Sequence, residues 1–149
     1  MTIRLVDLSF DPGAELSAFS TRAVGAGGVV SFSGHVRPQS TDGTVQSLML
    51  QIHPVLTLAG MQTAEREAIA RWSLIDSEII HRHGDIGASE AIVFVATASA
   101  HRRAAFEAAD FLMDYLKTKA VFWKKEAGPG GERWIEPRED DYADAERWI

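Results

Sequence analysis

The stretch AIVFVATASAHRRAAFEAADFLMDYLKT, residues 91–118, decides the fold. Its first nine residues are apolar or small, which is typical of a buried strand, and the rest carries apolar residues at helical spacing. We therefore predict a strand over 89–99 that runs directly into a helix over 99–118, with Ser99 as the helix N-cap. Small alanines along the apolar stripe of this helix predict close packing against a sheet.

Strands and helices alternate on both sides of this stretch. The patterns predict strands over 3–10, 29–37, 45–52, 77–84, 120–126 and 133–137, and helices over 11–24 and 57–72. Asp11 is the expected N-cap of the first helix, and the strand over 45–52 is expected to pair with the strand over 29–37. The acidic C-terminal tail is expected to form a short closing helix. Residues 1–149 are thus predicted to form one α+β domain with mainly antiparallel strands.

The composition excludes several classes of protein. A chain of 149 residues with 46% hydrophobic and 24% charged residues is globular, and its net charge of −6 argues against a broad nucleic-acid surface. An RNA-binding domain would also need exposed aromatics between basic residues, whereas the tryptophans here lie in apolar patterns. The absence of cysteine excludes disulfides, thiolate metal sites and cysteine nucleophiles. Without a membrane-spanning segment or a signal-peptide core, we predict a cytoplasmic protein.

The predicted helix over 99–118 begins with cations. His101, Arg102 and Arg103 fall in its first turn, where unpaired N–H groups and the helix dipole repel positive charge. A phosphate or carboxylate bound by His101 and Arg102 would offset this repulsion. The alternative is that these side chains pair with surface acids such as Glu107.

Lysines follow at the other end of the helix. Lys117 and Lys119 close it, and Lys124 and Lys125 follow a short apolar segment. Each could simply be solvated, but the chain can fold back and bring Lys117 and Lys124 to one pocket. Mutual repulsion would there lower the pKa of one amine, which could then act as a nucleophile or base. Arg37, at the end of a predicted strand, could add a third cation.

His81 and His83 share a face of a predicted strand, as metal ligands can. No third ligand is evident from the sequence, so a structural role is the favoured interpretation. We predict no metal and no cofactor.

Four segments resemble the large, catalytic subunit of molybdopterin synthase over nearly the whole chain: FSGHVR (32–37), IIHRHG (79–84), SAHRRAAFEAADFLMDYLKTKAVFWKKE (99–126) and ERWIEPRE (132–139). The resemblance implies an α/β hammerhead fold with an added β-rich subdomain. It also implies a homodimer that two small ubiquitin-like sulfur carriers complete to a heterotetramer. Each carrier would insert a C-terminal Gly-Gly thiocarboxylate, and cyclic pyranopterin monophosphate would receive two sulfurs to become the dithiolene of molybdopterin, a step in molybdenum cofactor biosynthesis.

The same resemblance assigns roles to individual residues. Lys117 would steer the thiocarboxylate, and Lys124 would stabilise negative charge on the pterin, so both would be catalytic. The implied substrate-binding residues are His35, Val36, Arg37, His101, Arg102, Lys117, Lys124, Lys125 and Glu126. Segment 35–37 would contribute to a pocket that a dimer can share.

The sequence departs from the family at two places. Gln51, Ile52 and His53 stand where a Glu-His-Tyr run is common, which leaves the surroundings of the carrier tail or the dimer contact open, and Val121 replaces a common proline. A non-catalytic module that binds a phosphorylated metabolite or a partner's C-terminal carboxylate is the competing interpretation. Such a module needs the same cations but no reactive lysine.

Overall fold

The computed structural model describes residues 1–40 and 43–149. Residues 41 and 42, within the segment PQSTDGT (38–44) whose composition predicts a turn or loop, lie outside this description. The elements in chain order are β1 (Thr2–Val6), α1 (Pro12–Arg22), β2 (Gly28–His35), β3 (Gln39–Ser40), β4 (Gly43–Thr44), β5 (Ser47–Ile52), α2 (Leu56–Trp72), β6 (Asp76–Arg82), β7 (Gly84–Gly87), β8 (Ala91–Ser99), α3 (Arg102–Thr118), β9 (Phe122–Gly128), β10 (Gly131–Ile135) and α4 (Glu139–Glu146). The α+β class with mainly antiparallel strands is confirmed.

The first sheet has the strand order β1-β6-β8-β2, and only its β1–β6 pair is parallel. Because β6 and β8 are central and covered on both sides, nearly all their residues are buried. Helices α2 and α3 cover one side, and Phe19 of α1 packs on the other. The predicted junction of strand and helix thus lies at the end of a central strand, where β8 leads into α3.

The second sheet has the order β10-β9-β5-β7 and is antiparallel throughout. Its inner side packs on a separate apolar cluster that contains Leu48, Leu50 and Ile86. The predicted pairing of the strand over 45–52 with the strand over 29–37 is wrong, because β5 pairs with β9 and β7 while β2 pairs with β8. Alternating apolar residues specify which side of a strand is buried but not which strand lies next to it.

Two helix starts differ in their capping. Asp11 caps α1 as predicted, since its Oδ1 accepts a hydrogen bond from the Gly13 N–H at 2.9 Å. The predicted N-cap Ser99 is wrong: it is the last residue of β8 and donates to the His101 carbonyl, and His101 occupies the N-cap position without a side-chain cap. The strand ends at Ser99 as predicted, where Ser99 is still paired with Gly28 of β2, and the helix begins three residues later than predicted, at Arg102.

The departure at residues 51–53 has a structural role. The His53 Nδ1 accepts hydrogen bonds from the N–H groups of Val55 and Leu56 at 3.1 and 3.0 Å, at the start of α2. Val55, the N-cap residue, offers no side-chain cap of its own. His53 therefore satisfies donors that the helix start leaves open.

The closing helix expected for the acidic tail is present as α4, which packs on α3. Asp114 of α3 accepts hydrogen bonds from Trp148 Nε1 at 2.6 Å and from Arg147 at 2.8 Å. These contacts hold the segment between β10 and α4 beside the C-terminal end of α3. Among the described residues, no helix is long and apolar enough to cross a membrane.

Candidate functional site

A cavity of about 630 Å³ lies where the C-terminal end of α3 meets the second sheet. Five cationic side chains line it, against three carboxylates: Arg37, Lys117, Lys124, Arg133 and Arg138, with Glu126, Glu136 and Asp141. Leu116, Phe122 and Ile135 add apolar surface. We call this cavity the two-lysine pocket. Its excess of positive charge suits an anionic ligand with an apolar or aromatic part.

Two elements bring the lysines of the pocket together. Lys117 lies in the last turn of α3, and Lys124 lies on β9, on the same side of the strand as Phe122. Both side chains line the same cavity, and the two amino groups lie close enough for the charge of Lys117 to act on Lys124. Burial and, after it, the charge of Lys117 together lower the pKa of Lys124 to about 8, while Asp141 acts in the opposite direction. About a tenth of Lys124 is therefore a neutral amine at pH 7.

Replacing Lys124 with Met should stabilise the fold at pH 7. The folded pKa of about 8 lies below 10.5, the ordinary pKa of a lysine, so below pH 8 both states hold the proton and the folded state carries the whole cost of the buried charge. Between pH 8 and 10.5 the unfolded state binds more protons, so wild-type stability rises with pH. In urea unfolding we expect a gain of about 1–3 kcal/mol at pH 7 that shrinks by pH 10.5. An equal gain at both pH values would contradict a buried charge as its cause.

Of the two predicted site residues that follow Lys124, one lines the two-lysine pocket and the other does not. Glu126 lines it and lies 3.6 Å from Arg133. Lys125 projects from the other side of β9, where its Nζ lies 2.7 Å from Glu132 and over the ring of Trp134. Lys125 therefore does not line the two-lysine pocket of a single chain, because neighbouring residues of a strand face opposite ways.

Only one residue of segment 35–37 reaches the pocket. Arg37 lines it, whereas the side chain of Val36 is 4% exposed and belongs to the core of the second sheet. His35 is exposed, and its ring contacts Ser33 Oγ at 3.2 Å and the Ser89 carbonyl at 3.3 Å. The expectation that all three side chains bind substrate is not met by His35 and Val36 within one chain.

His101 and Arg102 lie at the opposite end of α3. With 1.5 Å of rise per residue, the helix separates Arg102 from Lys117 by about 22 Å. Arg102 instead lines a shallow surface with Arg103, Phe106, Glu107 and Asp110. Among the described residues, Arg102 and Arg103 have no ion-pair partner within 4.0 Å, so the alternative pairing with Glu107 is absent. Glu107 instead accepts a hydrogen bond from Trp72 Nε1. A single chain therefore has two separate cationic sites.

Sequence reasoning missed Arg133 and Arg138. Both lie in a segment that alternates cations with carboxylates, which is typical of a solvated surface. Only the pairing of β10 with β9 and the docking of α4 turn this segment toward the lysines. The sequence carries no local signal for either contact.

Comparison with known proteins gives consistent results. The family model described as "MoaE protein" matches residues 5–119. The molybdopterin synthase catalytic subunit of Caulobacter vibrioides is 49% identical over 99% of this chain and 97% of its own length, and that of Pseudomonas aeruginosa is 47% identical over 99% of both. Among solved structures, a molybdopterin biosynthesis MoaE protein from Burkholderia ambifaria is 40% identical with a TM-score of 0.82, and the alignment covers 99% of this chain and 97% of that one. Molybdopterin synthase from Staphylococcus aureus is 26% identical with a TM-score of 0.79 and coverages of 88% and 94%.

Proposed function

Because the chain belongs to the MoaE family of molybdopterin synthase catalytic subunits, we propose that its two-lysine pocket is where sulfur passes from a carrier protein to a pterin. The donor is the C-terminal thiocarboxylate of a small ubiquitin-like subunit, and the acceptor is cyclic pyranopterin monophosphate. The observation that carries the proposal is the pair Lys117 and Lys124, held together in a cavity with an excess of cations. The chain has no cysteine, which fits a reaction in which the carrier supplies the sulfur.

Lys117 and Lys124 have different roles in this proposal. The Lys117 ammonium binds the thiocarboxylate anion, and Lys124 stabilises the negative charge that develops on the pterin. The sulfur forms a bond to a pterin carbon and displaces the oxygen bound there. Where that oxygen belongs to the cyclic phosphate ester, it stays on the phosphate as the ring opens, and where it is a carbonyl oxygen, it leaves as water. Water then cleaves the bond between the sulfur and the carrier's carbonyl carbon, so the carrier leaves with an ordinary carboxylate. A second carrier repeats the transfer.

The two cationic sites of one chain suggest that the functional unit is a dimer. His101 and Arg102 lie too far from Lys117 to act on the same small substrate within one chain, but a two-fold related copy can bring them to the pocket. Phe106 of α3 and Phe32 of the edge strand β2 are 60% and 45% exposed and supply apolar surface for such a contact. We include in the proposal a homodimer with two carriers, residues 1–149 acting as one domain, and a cytoplasmic location.

A direct assay tests this function. The protein is mixed with thiocarboxylated carrier and the pterin precursor, and mass spectrometry follows the gain of two sulfurs by the pterin. A carrier that ends in an ordinary carboxylate is the control and should give no product. Binding of both ligands without sulfur transfer would instead support the non-catalytic module.

A further inference from the structure

His81 is a buried imidazole directly behind the two-lysine pocket. It lies on β6 of the first sheet, its side chain is among the buried residues at 4% exposure, and its ring stacks on Phe122 with centroids 3.9 Å apart and planes 21° apart. Phe122 lines the pocket. The imidazole therefore forms the layer behind one wall of the cavity.

The hydrogen bonding of His81 defines its protonation. Its Nδ1 lies 2.9 Å from the Arg82 carbonyl, and because a carbonyl can only accept, Nδ1 carries the proton. Burial and, to a smaller extent, the charges of Lys124, Lys117 and His83 lower the pKa of His81 to about 3. At neutral pH the imidazole of His81 is thus uncharged and adds no positive charge beside the lysines.

The position of Lys124 depends on the start of β9. Phe122 and Lys124 project from the same side of the strand, opposite Ile52 and Leu50 of β5. The preceding residue, Val121, is held through its carbonyl, which accepts a hydrogen bond from Thr57 Oγ at 2.6 Å. His81 provides the matching contact for the Phe122 side chain. The first residues of β9 are therefore held by α2 on the backbone and by β6 on the side chain.

Resting on the proposed function, we propose that His81 is a positioning residue: by stacking on Phe122 it keeps the start of β9 in place and holds Lys124 half-buried beside Lys117. Its ring is required, and its hydrogen bond to Arg82 serves to orient the ring. The charged groups that act on Lys124 from the elements around it are Lys117 of α3 and Asp141 of α4. Neither is altered by a change at His81.

A matched pair of variants separates the ring from the hydrogen bond. His81→Phe keeps an aromatic ring on Phe122 but loses the N–H donor, whereas His81→Asn keeps an N–H for the Arg82 carbonyl but loses the ring. The readout is the rate at which acetic anhydride acetylates Lys124 between pH 7 and 11, measured by peptide mass spectrometry. Lys119, which lies over the Tyr115 ring at the same end of α3, is the internal reference.

We expect His81→Asn to admit water beside Lys124, so that its pKa rises from about 8 toward 10.5. At pH 8 its acetylation rate should then fall by at least about tenfold, while His81→Phe stays within about twofold of wild type. A folded His81→Asn protein with an unchanged Lys124 profile would overturn the proposal, and so would an equal shift in both variants.

A third variant, Phe122→Leu, tests the same stack if His81→Asn does not fold. Phe122→Leu removes the other ring of the stack and should shift the Lys124 profile in the same direction, and an unchanged profile would again refute the role of the stack. The acetylation readout needs neither carrier nor pterin. If sulfur transfer itself fails, the positioning role of His81 is still decided by the lysine profile.

Discussion

Lys117→Ala is expected to lower dithiolene formation by about a hundred- to a thousandfold, because the variant loses the ammonium group that binds and orients the reacting thiocarboxylate. Carrier binding should change by only a few fold, since one lysine is a small part of a protein interface. Single-turnover formation of the product at saturating carrier measures the first effect, and calorimetric titration of the carrier measures the second.

Lys119→Ala is the matched control for this variant. Lys119 follows the same helix end, but it lies over the Tyr115 ring and does not line the pocket. Its replacement removes the same charge from the same region and should leave turnover within about twofold, as is usual for an exposed lysine. Turnover retained by Lys117→Ala would remove Lys117 from the reaction. An equal loss in both variants would mean that net charge, and not position, is responsible.

Mixed dimers should show a second large effect. If the pocket takes Lys117 from one chain and Arg102 from its partner, Lys117→Ala and Arg102→Ala proteins are each inactive, yet a dimer of one chain of each kind contains one intact pocket. After unfolding and refolding an equal mixture, half of the dimers are mixed and one of their two pockets works. About a quarter of wild-type activity should therefore return.

The control for this experiment mixes Lys117→Ala with Lys124→Ala. Both lysines line the pocket of the same chain, so each pocket of a mixed dimer lacks one of them and no activity should return. Recovery in this control would contradict the assignment of both lysines to one chain's pocket. Absence of recovery with Arg102→Ala would show that the two cationic sites do not share a substrate.

The elements of the fold could largely be predicted from local sequence. Strand β8 and helix α3 follow from the change of apolar spacing within residues 91–118, and Asp11 followed by Pro12 marks the start of α1. These signals are local, because hydrophobic periodicity and capping involve residues within a few positions of each other. The partner of β5 was predicted wrongly for the same reason: its neighbour β9 lies some seventy residues later, and no local pattern specifies it.

For the candidate site, too, the sequence determined some features and only the tertiary structure decided the others. The sequence by itself determined which cations are available, the strand that runs into α3, and the order of Lys117 and Lys124 around a short connection. Only the tertiary structure decided that Lys125 faces away, that Arg133 and Arg138 join the pocket, and that Arg102 lies at the far end of the helix. It also turned His81 from a candidate ligand into a buried ring behind Phe122. The physical reason is that charge and periodicity belong to single segments, whereas burial, pKa and proximity arise only when distant segments pack together.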